Sequence, residues 1–271
     1  MGRRILLAGC GDLGARLAKR LIARGDTVFG LRRRVHALAE GIVPVAADLN
    51  DPSSLGGLPQ ALDAVVCTMT PASRDEVGYR RAYLDAPRNL LAALGEASPR
   101  WVFASSTAVY GGDSGDWVDD DTVEAPEEFN GHVLLQAEQA LAAAVVDLKV
   151  LRFTGIYGPG RLMMLRRART ASTAEPRWTN RIHAEDAAAA LLFALDHSEL
   201  PAICIASDGS PTREDAVLGW LAAQLGRPAP VCGDGPERGR KIVPKRLIAA
   251  GFVPVFPDFR TGYSSLLQDA E

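Results

Sequence analysis

The sequence predicts a doubly wound α/β fold, a parallel sheet covered by helices on both faces. Two observations carry this. Short runs that are apolar throughout recur in the first half of the chain, as strands buried on both faces require. Stretches with helical spacing of apolar residues separate them. A third observation is Gly9-Cys10-Gly11-Asp12-Leu13-Gly14, which joins the first such run to the first helical stretch.

Arg4 to Gly9 (RILLAG) reads as the first strand. Asp12 to Arg24 reads as a helix, with Leu13, Leu17, Leu21 and Ile22 on one face. Thr27 to Leu31, Val43 to Ala46 and Asp63 to Thr68 follow as strands. A long helical stretch covers about residues 77–97. Arg100 to Ser105 is a fifth strand, and Gly111 to Glu128 a polar loop rich in Asp and Gly. A helix from about Glu127 to Val146 leads to a strand at Lys149 to Phe153. After that the rhythm changes. Thr154 to Trp178 opens with Gly and Pro and carries many arginines. His183 to His197 is a helix and Ala202 to Ala206 a strand. Thr212 to Leu225 is a helix with Thr212 as the expected N-cap. Residues 226–239 read as a loop, and Pro244 to Ala250 as a short helix ended by Gly251. The expected division is a nucleotide-binding domain over 1–157 and a small C-terminal substrate lobe over 158–271, with 180–207 returning to the sheet. The ligand site is expected in the cleft at the carboxyl ends of the strands.

The glycine pattern has the context that gives it meaning: a strand before it, a helix opened by it and a second strand downstream. Gly9 permits the tight turn, Gly11 lets the backbone approach a pyrophosphate, and Gly14 allows close helix–strand packing. Asp12 and Leu13 complete the turn, at a helix N-terminus whose amides and dipole favour phosphate. This is a Rossmann-type dinucleotide site. The end of the second strand reads Gly30-Leu31-Arg32-Arg33-Arg34, with no acid for a ribose 2′-hydroxyl. Arg32 and Arg33 suit a 2′-phosphate, so NADP is expected ahead of NAD.

The bulk properties narrow the class. Apolar residues make 47% and charged residues 23% of the 271, which excludes a disordered chain. The net charge of −3 argues against nucleic acid or an anionic membrane as the main partner. No stretch is apolar enough for a membrane helix or a signal-peptide core, so a cytoplasmic protein is expected. Cys10, Cys67, Cys204 and Cys232 are widely spaced, giving neither a local metal site nor a disulfide framework.

Several further segments resemble the short-chain dehydrogenase/reductase superfamily, most closely its atypical or extended branch, the NAD(P)-dependent epimerase/dehydratase family. They are Ala8 to Gly14, Asp48-Leu49, Ser105-Ser106-Thr107-Ala108-Val109-Tyr110-Gly111, Leu151 to Gly160 (LRFTGIYGPG) and Asn180 to Ala187 (NRIHAEDA). The resemblance implies that Asp48 and Leu49 flank the adenine and that Thr68, Met69 and Thr70 pass beside the cofactor, with Ser105 at the end of the fifth strand. It implies that Ser106 is the active-site serine, that the Tyr157 loop lies near the nicotinamide, and that His183 and Asp186 are structural. The family's substrates are often nucleotide sugars. The C-terminal lobe is short for these, so a small-molecule substrate is expected. A homodimer through the two long helices is also what the resemblance implies.

The resemblance has one gap. The family's chemistry rests on a YxxxK pair one helical turn apart, where a Lys cation lowers the Tyr pKa toward neutrality. The matching helix carries Asn130 for Tyr and Leu134 for Lys, with Glu138 at the family's acid position. No tyrosine in the chain has Lys four residues on. His132 lies two residues from Asn130 and faces elsewhere on a helix. Tyr110 and Tyr157 remain as substitute acids, with Ser106 as the catalytic serine. Of the arginines over 161–181, Arg161 and Arg181 are candidates for an anionic substrate, while Arg166, Arg167 and Arg169 read as a solvated face. Two functions follow. One is an NADP-dependent oxidoreductase or epimerase-like enzyme. The other is a non-catalytic NADP-binding sensor or scaffold.

Overall fold

The structure is a computed structural model and describes residues 2–268. In chain order the elements are β1 (Arg4–Ala8), α1 (Asp12–Ala23), β2 (Thr27–Arg32), β3 (Val43–Ala46), β4 (Ala64–Cys67), α2 (Glu76–Arg80), α3 (Ala86–Leu94), β5 (Arg100–Ser106), β6 (Asp116–Val118) and α4 (Phe129–Ala144). Then come β7 (Leu148–Phe153), β8 (Gly155–Tyr157), α5 (Met163–Ala168), β9 (Thr173–Ala174), β10 (Arg177–Thr179), β11 (Arg181–His183), α6 (Ala184–Asp196) and β12 (Ile203–Ala206). The chain closes with β13 (Thr212–Arg213), α7 (Glu214–Gln224), β14 (Val231–Cys232), β15 (Arg238–Ile242), α8 (Lys245–Ala249) and α9 (Phe259–Gln268).

A seven-stranded sheet runs in the order β12-β7-β5-β4-β1-β2-β3, with β1 to β5 paired in parallel. The order reverses direction at β1 and β4, where an open α/β sheet forms its ligand crevice. This is the α/β class expected from the apolar strand runs. The chain divides into two compact units whose segments interleave. Unit 1 comprises Met1–Val109, Pro126–Arg152 and Ala188–Cys204; unit 2 comprises Tyr110–Ala125, Phe153–Ala187 and Ile205–Glu271.

In unit 1 the sheet residues Leu6, Phe29, Val65, Trp101 and Phe103 bury against Ala86 and Leu90 of α3 and Ala137 and Leu141 of α4. The stretch expected as one helix over 77–97 is two. Asp75 caps α2 by accepting from Gly78 N at 2.7 Å, and a π-helical turn at Arg81–Asp85 separates it from α3, whose first turn holds Pro87. Such turns insert one extra residue per turn and rotate the side chains that follow.

Unit 2 contains a four-stranded sheet in the order β13-β10-β15-β6. Its strand β6 lies inside the expected polar loop 111–128, and β15 begins inside the expected loop 226–239. Both are held by polar side chains with sequence-distant partners. Asn180 Nδ2 donates to Arg240 O and its Oδ1 accepts from Ile242 N, both at 2.8 Å. Asp120 accepts from Ile205 N at 2.6 Å and from Arg246 N at 3.0 Å. The start of α7 also differs from expectation. Arg213 is the N-cap, and Thr212 Oγ1 donates to Ser210 O instead.

Candidate functional site

The carboxyl ends of β1, β2 and β4 frame a cleft of about 640 Å³ in unit 1. Gly9 turns the chain out of β1 with φ +82°, and a Cβ there would come within 2.7 Å of the Met69 backbone. Gly14 lies where a Cβ would be 3.1 Å from Thr68 Oγ1, which donates to Gly9 O at 2.9 Å. The glycine turn is thus clamped to the end of β4. Gly11 is the N-cap of α1 and supplies no capping side chain, so the helix end presents backbone amides and its positive dipole.

Nine of the expected cofactor residues line this cleft: Gly9, Gly11, Arg32, Arg33, Asp48, Leu49, Thr68, Met69 and Thr70. Four do not. Asp12 is exposed and pairs with Arg16 at 2.9 Å, while Leu13 and Gly14 are buried under the turn. Ser105 is buried and donates to Glu138, whose carboxylate pairs with Arg152 Nη2 at 2.6 Å. Both members of that pair are almost fully enclosed, at 1% and 3% exposure.

Arg34, His36, Asn50, Ser73 and Arg81 line the cleft as well. Arg34 is legible as the third arginine of the run after β2. Arg81 is not, because the π-helical turn that sets its direction leaves no mark on the apolar pattern. The lining therefore holds four arginines and one histidine against a single acid, Asp48. Arg32 Nη1 reaches only long contacts, 3.4 Å to Cys10 O and to Ala37 O, and Arg33 and Arg34 are exposed. Burial pushes the Cys10 thiol above its ordinary pKa, with Arg32 opposing.

Ser106 ends β5. Its Oγ accepts from Ala108 N at 3.2 Å, and the hydroxyl proton has no acceptor among the described residues. The turn after it packs against α4, where a Cβ on Gly131 would be 2.2 Å from Ala108 O. Asn130 Oδ1 accepts from Gly131 N within its own helix, Leu134 is buried, and His132 is exposed. No lysine stands in for Leu134 on β7 either, since Lys149 Nζ is spent on Ser198 O at 2.8 Å and on Leu200 O.

In unit 2, Tyr110 is buried and its carbonyl accepts from Arg240. Tyr157 is buried with its ring 4.6 Å from Tyr263, and its hydroxyl donates to Asp258 O at 3.5 Å. Burial raises the Tyr157 pKa, and Asp208, Tyr263 and Asp186 add to the shift while Arg181 opposes it. The phenol therefore stays protonated near neutral pH and can donate a hydrogen bond, but it exchanges its proton poorly in either direction. Arg161 is half-buried, whereas Arg181 is 4% exposed. One Arg181 nitrogen donates to Thr179 Oγ1, and Nη1 has no hydrogen-bond partner among the described residues. Asp208 Oδ1 accepts from Ser210 N at 2.9 Å, Oδ2 has no hydrogen-bond partner among the described residues, and burial raises its pKa to about 7. Asp186 accepts from Val255 N and Phe256 N, both at 2.9 Å. Arg166 and Arg169 are exposed, and Arg167 pairs with Glu214.

Among the described residues no group of three or more His, Cys, Asp or Glu is placed to hold a metal ion, and no helix is long and apolar enough to cross a membrane.

Residues 5–206 match the model of the NAD dependent epimerase/dehydratase family. Protein YeeZ of Escherichia coli is 34% identical over 172 residues, which are 59% of this chain. The matched part spans 61% of YeeZ. Among solved structures, an NAD-dependent epimerase/dehydratase from Methylobacillus flagellatus superposes with TM-score 0.86 at 36% identity, covering 100% of this chain and 99% of that one. MoeE5 in complex with UDP-glucose and NAD superposes with TM-score 0.77 at 25% identity, covering 98% of each chain.

Proposed function

This chain belongs to the NAD-dependent epimerase/dehydratase family, and on that premise we propose that it binds NADP(H) in the unit 1 cleft and acts as an oxidoreductase or epimerase-like enzyme on a small substrate. One observation carries the choice of cofactor: four arginines and a histidine line the cleft, and the single acid is not on β2. The residues fit the group. The space a Cβ would need at Gly9 is already filled by Met69, so only glycine keeps this turn, and its backbone is what meets a pyrophosphate. The amides at the start of α1 would hold the pyrophosphate. Arg32 and Arg33, with Arg34 and His36 beside them, would hold the 2′-phosphate. Asp48 and Leu49 would flank the adenine, with Thr68, Met69 and Thr70 beside the nicotinamide end.

When bound, the cofactor supplies hydride chemistry. The chain's own part is orientation and proton supply. Ser106 offers its unspent hydroxyl proton to a substrate oxygen. Tyr157, and after it Tyr110, is proposed to donate a hydrogen bond to that oxygen, with water carrying protons to and from it because a phenol of raised pKa exchanges them poorly. Arg161 and Arg181 are the proposed anchors for an anionic substrate group.

A second reading, a non-catalytic NADP-binding sensor or scaffold, is favoured by a specific feature. Leu134 is buried in apolar packing and Asn130 is turned onto its own helix, so neither offers acid–base chemistry. Calorimetric titration tests the shared premise. NADPH should bind at least about tenfold tighter than NADH, and Arg32→Ala/Arg33→Ala should erase the difference. Equal or tighter NADH binding would overturn the cofactor choice. Reduction of a carbonyl panel that stops in Ser106→Ala would favour the enzyme. NADPH binding with no turnover across that panel would favour the sensor.

A further inference from the structure

The four-stranded sheet of unit 2 carries a row of side chains that neither reading uses. Register pairs Trp117 of β6 with Lys241 of β15, Trp178 of β10 with Gly239 of β15, and Arg213 of β13 with Trp178. Gly239 and Lys241 are two residues apart and share a face of the sheet. Trp117, Lys241, Trp178 and Arg213 thus stand side by side. Their neighbours Val118 and Ile242 point the other way and are buried, so the row looks to solvent.

The row is built and partly pinned. Lys241 Nζ lies 4.5 Å from the Trp178 ring centroid and 5.6 Å from that of Trp117. Gly115 and Gly239 both have φ +79°; a Cβ at Gly115 would lie 3.5 Å from the Trp178 ring, and one at Gly239 would be 2.3 Å from the Trp178 carbonyl oxygen. Trp178 Nε1 donates to Glu237 at 3.0 Å, and Arg213 pairs with the same carboxylate at 3.4 Å and with Asp215 at 2.9 Å. Glu237 therefore takes the Trp178 and Arg213 donors, and its charge also attracts Lys241. Among the described residues Lys241 makes no hydrogen bond or ion pair, so its three donors are unspent. Trp117 is 65% exposed, a large indole that the core does not need.

We propose that this row binds a ring-bearing organic anion, its ring lying on Trp117 and its phosphate or carboxylate meeting Lys241. An indole face stacks flat rings with little regard to their identity, and an ammonium held between two indoles is restricted in direction. The row offers one ammonium with unspent donors, attracted by Glu237 but not hydrogen-bonded to it, and the span from β6 to β10 is only about 10 Å, two strand spacings. Those dimensions fit one ring with one anionic group and not an extended polymer. The proposal does not depend on NADP binding in unit 1.

The test is a titration followed by the indole N–H signals of Trp117 and Trp178 in nitrogen-15 spectra, assigned by substitution. Uridine 5′-monophosphate and benzoate are the probes, with uridine and inorganic phosphate as half-ligands. Both indole signals should move with at least one probe, and each half-ligand should bind about tenfold more weakly. Trp117→Ala, read at Trp178, and Lys241→Met, read at both indoles, should each weaken the probe about tenfold. NADPH affinity in these variants should stay unchanged. Movement with the nucleotide alone assigns the face to nucleotides; movement with both assigns it to ring-bearing anions in general. Silence of both signals at about 10 mM of either probe overturns the proposal. So does an unchanged affinity in Lys241→Met, provided its thermal melt matches the wild type.

Discussion

The arginines of unit 1's cleft and the arginine of unit 2's buried cluster are the same residue type in opposite physical states. Arg33 and Arg34 stand in water at the end of β2, and Arg32 makes only long contacts. Their charge is available to a ligand and costs the fold little. Arg181 is enclosed among Tyr157, Tyr263, Phe259 and Asp208, and burial lowers its pKa. Its charge is set against other buried groups and bears on stability first. A cation's meaning comes from its desolvation, which the residue type does not reveal.

The sharpest way to test that contrast is to strip one partner from an enclosed charge. Glu138→Ala leaves Arg152 buried without its carboxylate, and should cost about 3–5 kcal/mol in chemical denaturation. A loss below about 1 kcal/mol would mean that water reaches the pair.

Asp208 gives the next effect, and it has a sign. Burial raises its folded-state pKa to about 7, above the unfolded carboxylate value. Its stabilising contribution is then full below about pH 4 and lost as the pH rises through about 7. Asp208→Asn should remove that slope and make the protein more stable at pH 8, by on the order of 3 kcal/mol at most. Parallel stability–pH curves for the two proteins would show that Asp208 does not titrate there.

On the exposed side, Arg32→Ala/Arg33→Ala should weaken NADPH by about 100-fold in calorimetry. The same change should alter unfolding stability by less than about 0.5 kcal/mol. A large stability loss would place these arginines with the buried kind. Smallest of all, Arg166→Ala should shift neither the melting temperature nor NADPH affinity measurably, as expected of a solvated helix residue.

Much of unit 1 is legible in the sequence. The apolar runs at 5–8 and 64–67 mark strands buried on both faces, and both are. The glycines at 9, 11 and 14 and the arginines after β2 point to a single cleft, because a strand–turn–helix is a local unit. Asn130 and Leu134 are visible as departures from the family pattern for the same local reason. The short strands β6 and β15 are not visible. Each is three to five residues long, lies in a polar stretch and forms by pairing with sequence-distant strands, β6 with β15 across more than a hundred positions and β15 also with β10. Arg81 is hidden by a π-helical turn, and α9 by its amphipathic but short pattern near the chain's end.

The sequence by itself determined the parallel sheet, the glycine turn after β1 and the absence of a Tyr–Lys pair, since each is written in residues close together along the chain. Tertiary structure alone decided which charges are buried. It turned Ser105 onto Glu138, enclosed Arg181 with Asp208, and set Lys241 between two tryptophans from other strands. Desolvation depends on what distant segments pack against a side chain, and local periodicity carries no record of that.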